Sequence, residues 1–275
     1  MTRNLPRGGT HPRGGTPFHG AQMTPPERDD AIFEHLRRYH LTTPEVLHRL
    51  FFEGTHLNAV TKVTSRLTRE GKISRPLRLF GQRSYFVLTP RQAVRLGEHR
   101  AIARKFEYQG LVNAYGVLCF CAENGVQKFT PKEFAEKFPE LVIPGVRSGN
   151  YYIDVEQTDN GRSSRLGFML VDYGTSPETI VKKVQKIKAR GYTVPAFARL
   201  LQRGNFVIAI IAPGEAKSEQ VKAALSDEAP GNALYRIEAA PELGELLVHR
   251  GRLRTKPTPL ETPERAHAEE GAPDA

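Results

Sequence analysis

Five times between residues 24 and 178 the chain sets a Ser or Thr directly before a Pro, with an acid or amide close behind. The stretches are Thr24-Pro-Pro-Glu27, Thr43-Pro-Glu45, Thr89-Pro-Arg-Gln92, Thr130-Pro-Lys-Glu133 and Ser176-Pro-Glu178. A hydroxyl in that place can accept from a free backbone N–H of the first helical turn, and Pro at the first helical position has no N–H to lose. The same Pro would break a helix interior. Each stretch is therefore a predicted helix start, and where Glu or Gln stands three residues on, a predicted capping box. These starts alone cut the chain into short helical segments.

Apolar spacing fills in the first of them. After Thr24, Ile32, Leu36 and Tyr39 recur on one helical face, and after Thr43 so do Val46, Leu47, Leu50 and Phe51. Gly54 interrupts, and residues 56–71 predict a third helix with Val60, Val63 and Leu67 toward a core. Its opposite face carries Asn58, Thr61, Lys62, Ser65, Arg66 and Arg69. Amides and hydroxyls interleaved with cations are what base edges and phosphates require. Two strands follow, "KISRPLRLF" and "SYFVLTP", joined by Gly81-Gln82-Arg83. Tyr85 and Val87 alternate with Phe86 and Leu88, the pattern of a half-buried strand. Three helices and a hairpin with a basic tip predict a winged helix-turn-helix over residues 24–100. The candidate DNA contacts are Thr43, Asn58, Thr61, Lys62, Ser65, Arg66 and Arg69, with Arg78, Gln82 and Arg83 at the wing.

Charge supports that division. Residues 1–105 hold 19 Lys and Arg against 8 Asp and Glu, whereas the remainder holds 21 against 22. A positive excess confined to one module points to a polyanion as its partner. Cys119 and Cys121 are the two cysteines, too few for four-ligand zinc, and a reduced, packed state is expected. No apolar run is long enough for a transmembrane helix, and no secretory signal pattern is seen, so a cytoplasmic protein is expected. The Gly- and Pro-rich start (1–23) and the Pro- and acid-rich end (251–275) are expected to be a disordered basic leader and a disordered tail.

From Phe106 the pattern alternates helix and strand. "FEYQGLVNAYGVLCFCAE" predicts a linking helix, followed by the helix from Thr130 and strands "NYYIDVEQ" and "RLGFMLVDYG". The helix from Ser176 ends near Gly191, and "NFVIAIIA" is a continuous apolar run suited to a buried central strand. Helix "EAKSEQVKAAL" and strand "ALYRIEAA" complete a small α/β domain over residues 101–250, so the whole chain is expected to be α+β.

Several of these stretches together resemble the replication-relaxation family of bacterial plasmid and mobile-element proteins. They are "AIFEHLRRYHLTTPEVLHRLFF", "VTKVTSRLTREGKISRPLRL", "YFVLTPRQAVRLG" and the Asp-x-Gly-Thr junction of "LGFMLVDYGTSPETIVKKVQKIKARGY". The resemblance implies DNA binding tied to replication, relaxation or mobilisation of mobile DNA. It also implies that the second domain is related to the restriction-endonuclease-like core. A nuclease of that class holds Mg²⁺ with one acid from one strand and an acid-x-lysine from the next. Asp154 could be the first acid, but Asp172 is followed by Tyr173 and Gly174, and Leu170 stands where family members often carry glutamate. The expectation is an uncutting domain without metal or cofactor. Asp172 and Gly174 would then shape a strand-to-helix turn, and Asp154 would lie on a solvent-facing strand surface.

The expected function is sequence-specific binding of double-stranded DNA by a homodimer. It would act as a transcriptional regulator or as a replication or mobilisation accessory factor. Two alternatives are a Mg²⁺-dependent nuclease or nickase using Asp154 and Asp172, and a scaffold that recruits a relaxase or replication protein.

Overall fold

Helix α5 (Tyr108–Asn124) is apolar around most of its circumference, burying Leu111, Val112, Tyr115, Val117, Leu118, Phe120 and Cys121 among others. A helix of that kind must be covered on every side. The computed structural model describes residues 23–76, 78–80, 83–143, 149–158, 161–226 and 234–249. In it an N-terminal helical module covers one flank of α5 and a four-stranded sheet covers the other. The fold is α+β. The expected leader up to residue 22, the tail and Gln82 lie outside the described residues.

The N-terminal module comprises α1 (Pro25–Tyr39), α2 (Pro44–Phe51), α3 (Leu57–Arg69), β1 (Ile73–Ser74), β2 (Arg78–Phe80), β3 (Arg83–Ser84), β4 (Val87–Leu88) and α4 (Pro90–Arg95). Its core gathers Ile32, Leu36, Leu47, Phe51, Val60, Leu67, Phe86 and Leu88. The hydroxyl residues ahead of the prolines all stand at helix N-caps. Thr43, Thr89, Thr130 and Ser176 accept from backbone N–H groups of the first turn, and at Thr24 the Glu27 carboxylate accepts from both N–H and hydroxyl.

β1 pairs with β4 and β2 with β3, both antiparallel, so the expected hairpin is present but broken in two. Its second strand is not half-buried. Tyr85, Phe86, Val87 and Leu88 are all buried, because the hairpin lies between two cores. Phe86 and Leu88 face the module's own helices, while Tyr85 and Val87 join Leu79, Phe80 and the side chains of α5.

The second module adds α6 (Pro131–Lys137), β5 (Tyr151–Thr158), β6 (Gly161–Val171), α7 (Pro177–Tyr192), α8 (Pro195–Gln202), β7 (Phe206–Ala212), α9 (Glu215–Ser226), β8 (Leu234–Ala239) and α10 (Pro241–His249). Strand order is β5-β6-β7-β8, the first pair antiparallel and the other two parallel. Both parallel crossovers advance in one direction, and right-handed crossovers of that kind place their helices on one face. There Ile180, Val184, Phe197, Leu201, Val221 and Leu225 cover Phe206, Ile208 and Ile210. The other face presents Tyr152, Met169, Val171, Ala209 and Ile211 to α5 and α10. β7 is buried at every position, as its apolar run predicts. α8 and α10 have Val194 and Ala240 before their prolines, so no hydroxyl marks their starts in the sequence.

One core cluster crosses the expected division near residue 100. Tyr39, Leu41 and Val46 share one cluster with Leu118, Cys121 and Met169. Arg38 strengthens the junction, reaching from α1 to both carboxylate oxygens of Glu133 on α6 at 2.6 Å and donating to the Lys128 carbonyl. Cys119 and Cys121 are free and buried, and burial pushes the Cys121 thiol up to about 12. No helix among the described residues is long and apolar enough to cross a membrane.

Two predictions follow from this packing. A Cβ on Gly167 would lie 2.1 Å from Cε1 of Tyr152, so the aromatic ring fits only over a bare backbone. Gly167→Ala should lower unfolding free energy by about 1–3 kcal/mol in urea denaturation, and an unchanged midpoint would show that Tyr152 can step aside. His35 is buried with Nε2 3.1 Å from Thr42 Oγ1, and burial, aided by repulsion from Arg38, pulls its pKa down to about 3. The unfolded imidazole titrates near 6.5, so the unfolded chain takes up the proton first. Stability should therefore be complete above about pH 6.5 and decline as pH falls toward 3. A His35→Gln variant should lose that part of the slope in a pH series of thermal melts.

Candidate nucleic-acid interface

α3 starts at His56, whose ring Nδ1 accepts from the Asn58 backbone N–H at 3.2 Å. Val60, Thr64 and Leu67 anchor it inward, and the buried Thr64 hydroxyl is satisfied by the Val60 carbonyl at 2.9 Å. At about 3.6 residues per turn, that seam leaves Asn58, Lys62, Ser65 and Arg69 on the opposite ridge, with Thr61 on its flank. All five are exposed. None of their side chains is hydrogen-bonded or ion-paired among the described residues. A row of uncommitted polar and cationic groups at helical spacing is free to meet an external surface.

The remaining candidates separate from that row. Arg66 is a clamp: its Nη2 lies 2.7 and 2.8 Å from the two carboxylate oxygens of Asp29 on α1, and its Nη1 lies 3.2 Å from Glu70. Asp29 is buried, so the pair pins α3 to α1 from inside the module. Thr43 leaves the candidate set, because it is buried and its hydroxyl accepts from the Val46 N–H as the cap of α2. Arg78 is exposed at the start of β2. Arg83 turns inward instead, stacking on Phe80 with its guanidinium carbon 5.0 Å from the ring centroid and lying 3.8 Å from Glu245 on α10. Arg83 is thus directed at the second module, which no local pattern around residue 83 announces.

The two acids proposed for a metal site do not meet. Asp154 on β5 sits opposite Arg165 of β6, and Asp172 follows the end of β6, seven residues farther along. That is roughly 23 Å of strand at about 3.3 Å per residue, whereas ligands of one Mg²⁺ stand close to 2.1 Å from it. A nuclease site built on Asp154 and Asp172 together is ruled out by this register. No group of three or more His, Cys, Asp or Glu among the described residues is arranged to hold a metal ion.

Each acid has its own local task. Asp154 is buried under α5, not on a solvent face, and is met by Arg236 from β8 at 3.0 Å and by the Tyr152 hydroxyl at 3.3 Å. Arg236 also engages Glu238 and the Asn124 side chain. A buried carboxylate survives there because a guanidinium and hydrogen bonds replace its water. Asp172 is fully buried, and its Oδ1 accepts from the Thr175 N–H at 2.9 Å and from the Thr175 hydroxyl at 3.0 Å. Gly174 adopts a φ of 76°, a region that favours glycine. The strand-turn-helix joint is the arrangement the Asp-x-Gly-Thr sequence predicts. Lys182 and Lys186 are exposed, and Lys183 lies over the Tyr173 ring at 4.8 Å.

Comparison with known proteins returned no match: no family model, curated protein or solved structure is similar to the chain. The resemblance described above therefore rests on the quoted residues alone.

Two residues matter here that sequence patterns did not single out. Asp29 is 37 positions from Arg66, too far for any helical spacing to pair them. Leu57 is 43% exposed on the first turn of α3, an apolar residue where the burial pattern of the helix called for none. The Asp29 clamp generates a test: Asp29→Asn should destabilise the chain by about 1 kcal/mol, since the Arg66 end is partly hydrated. In a double-mutant cycle with Arg66→Gln, the coupling should be about 0.5–1 kcal/mol; additive effects would show that the clamp does not hold the helices.

Proposed function

We propose that this chain is a sequence-specific reader of double-stranded DNA and not an enzyme. In this reading residues 24–100 are a winged helix-turn-helix whose recognition helix is α3. Residues 101–250 are a restriction-endonuclease-like domain that does not cut. One observation carries it: Asn58, Thr61, Lys62, Ser65 and Arg69 form an exposed row without internal partners on the helix opposite its buried seam. Internal ion pairs absorb Arg66 and Arg83, so the contact set reduces to that row together with Arg78 at the hairpin. The positive excess of the first 105 residues, 19 cations against 8 acids, supplies the long-range attraction to phosphates.

The role is regulation of transcription, or assistance to replication or mobilisation of a plasmid or other mobile element. It is exercised by a cytoplasmic homodimer on a near-palindromic site. Recruitment of a relaxase or replication protein would fall to the second domain. Cutting through Asp154 and Asp172 is not part of the proposal, since the strand register separates the two acids.

Lys62→Ala with Arg69→Ala tests the reading directly. Each phosphate contact contributes about 0.9 to the slope of log affinity against log salt. The double variant should therefore bind DNA more weakly, with a salt slope shallower by up to about 2 in fluorescence anisotropy. Unchanged affinity and slope would remove α3 from the interface.

A further inference from the structure

The first turn of α3 has a chemistry more specific than positive charge. Resting on the DNA-binding reading above, we infer that α3 reads an A·T base pair, with Asn58 as the residue that recognises adenine. Asn58 is exposed, and its amide has no partner among the described residues, so both its donor and its acceptor are free. A carboxamide matches the N7 acceptor and N6 donor of adenine in the major groove, and it matches no other base edge as a bidentate pair. Its position fits as well, since the N-terminal residues of a recognition helix are those that reach base edges. The Asn58 backbone N–H already donates to His56 Nδ1, which leaves the side chain as the group facing outward.

The neighbours favour the same base pair. Leu57 is 43% exposed, and Thr61 is exposed one turn on, so apolar carbon borders the amide. Such carbon suits the C5-methyl of thymine, which a G·C pair lacks. Arginine, the commonest reader of guanine, is missing from this turn. Arg66 is held by Asp29, and Arg69 stands at the far end of α3, about 16 Å along the axis from Asn58 at about 1.5 Å per residue. Lys62 stands one turn on from Asn58, but it is a single point charge without the planar fork of arginine and is suited to the backbone.

Selection from a random-sequence duplex library with the full chain tests the inference. The enriched site should contain an adenine at which 7-deaza-adenine, lacking N7, weakens binding about tenfold or more. The same replacement should have no effect on Asn58→Ala, which should bind all four bases there about equally. Uracil in place of the paired or adjacent thymine should weaken binding in the wild type and less so in Leu57→Ala. Asn58 is exposed, so circular dichroism and melting of the variant should match the wild type and exclude misfolding as the cause. A site made of G·C pairs alone, or an adenine whose N7 is irrelevant, overturns the assignment while leaving DNA binding intact. Failure to bind any duplex overturns the underlying reading as well.

Discussion

The burial of α5 is the constraint on which the rest of the molecule depends. Nine of its residues are buried, from Leu111 to Cys121, and no single layer could cover them. The sheet takes one side through Tyr152, Met169, Val171, Ala209 and Ile211, and the N-terminal module takes another through Tyr39, Leu41, Val46, Tyr85 and Val87. Removing either cover would expose a continuous apolar surface. The helix therefore fuses two modules that composition and charge would separate. Close backbone approaches make the fit tight, with a Cβ on Gly116 falling 2.8 Å from Val171.

That fusion decides what the hairpin can do. Residues 85–88 are buried on both faces because α5 lies behind Tyr85 and Val87, and Arg83 is drawn to Glu245 and Phe80. The proposed interface consequently centres on α3. There, the distinction between cations that hold the fold and cations that remain available is electrostatic and local. Arg66 has two acids within 3.2 Å, whereas Lys62 and Arg69 have none among the described residues. Cations without internal partners keep their full attraction for phosphate.

In the second module both acids serve structure. Asp154 pairs with the half-buried Arg236 and stands opposite the middle of β6, and Asp172 shapes a turn beyond its end. Both are held by groups of opposite polarity within the chain, and antiparallel pairing of β5 with β6 keeps them apart. Lys182 and Lys186 of α7 stay in solvent, since Ile180 and Val184 define the side that packs.

Local signals were legible wherever the physics is local. Hydroxyl–proline pairs placed five helix starts, apolar spacing identified the inward seam of α3 at Val60 and Leu67, and an unbroken apolar run marked β7 as central. Asp-x-Gly-Thr likewise specified its own turn, because donor, acceptor and glycine lie within four residues. Relations between distant residues were not legible. The Asp29–Arg66 clamp spans 37 positions and the Asp154–Arg236 pair spans 82, and neither distance is encoded by any period of helix or strand. The sequence by itself determined most of the elements, though not α8 or α10, and with them the charge asymmetry and the polar character of α3. Only the tertiary structure decided which arginines are engaged, that Thr43 and residues 85–88 are buried, and that Asp154 and Asp172 cannot meet. Those outcomes depend on which surfaces α5 and the sheet register bring together, and contacts of that kind exist only once the chain has folded.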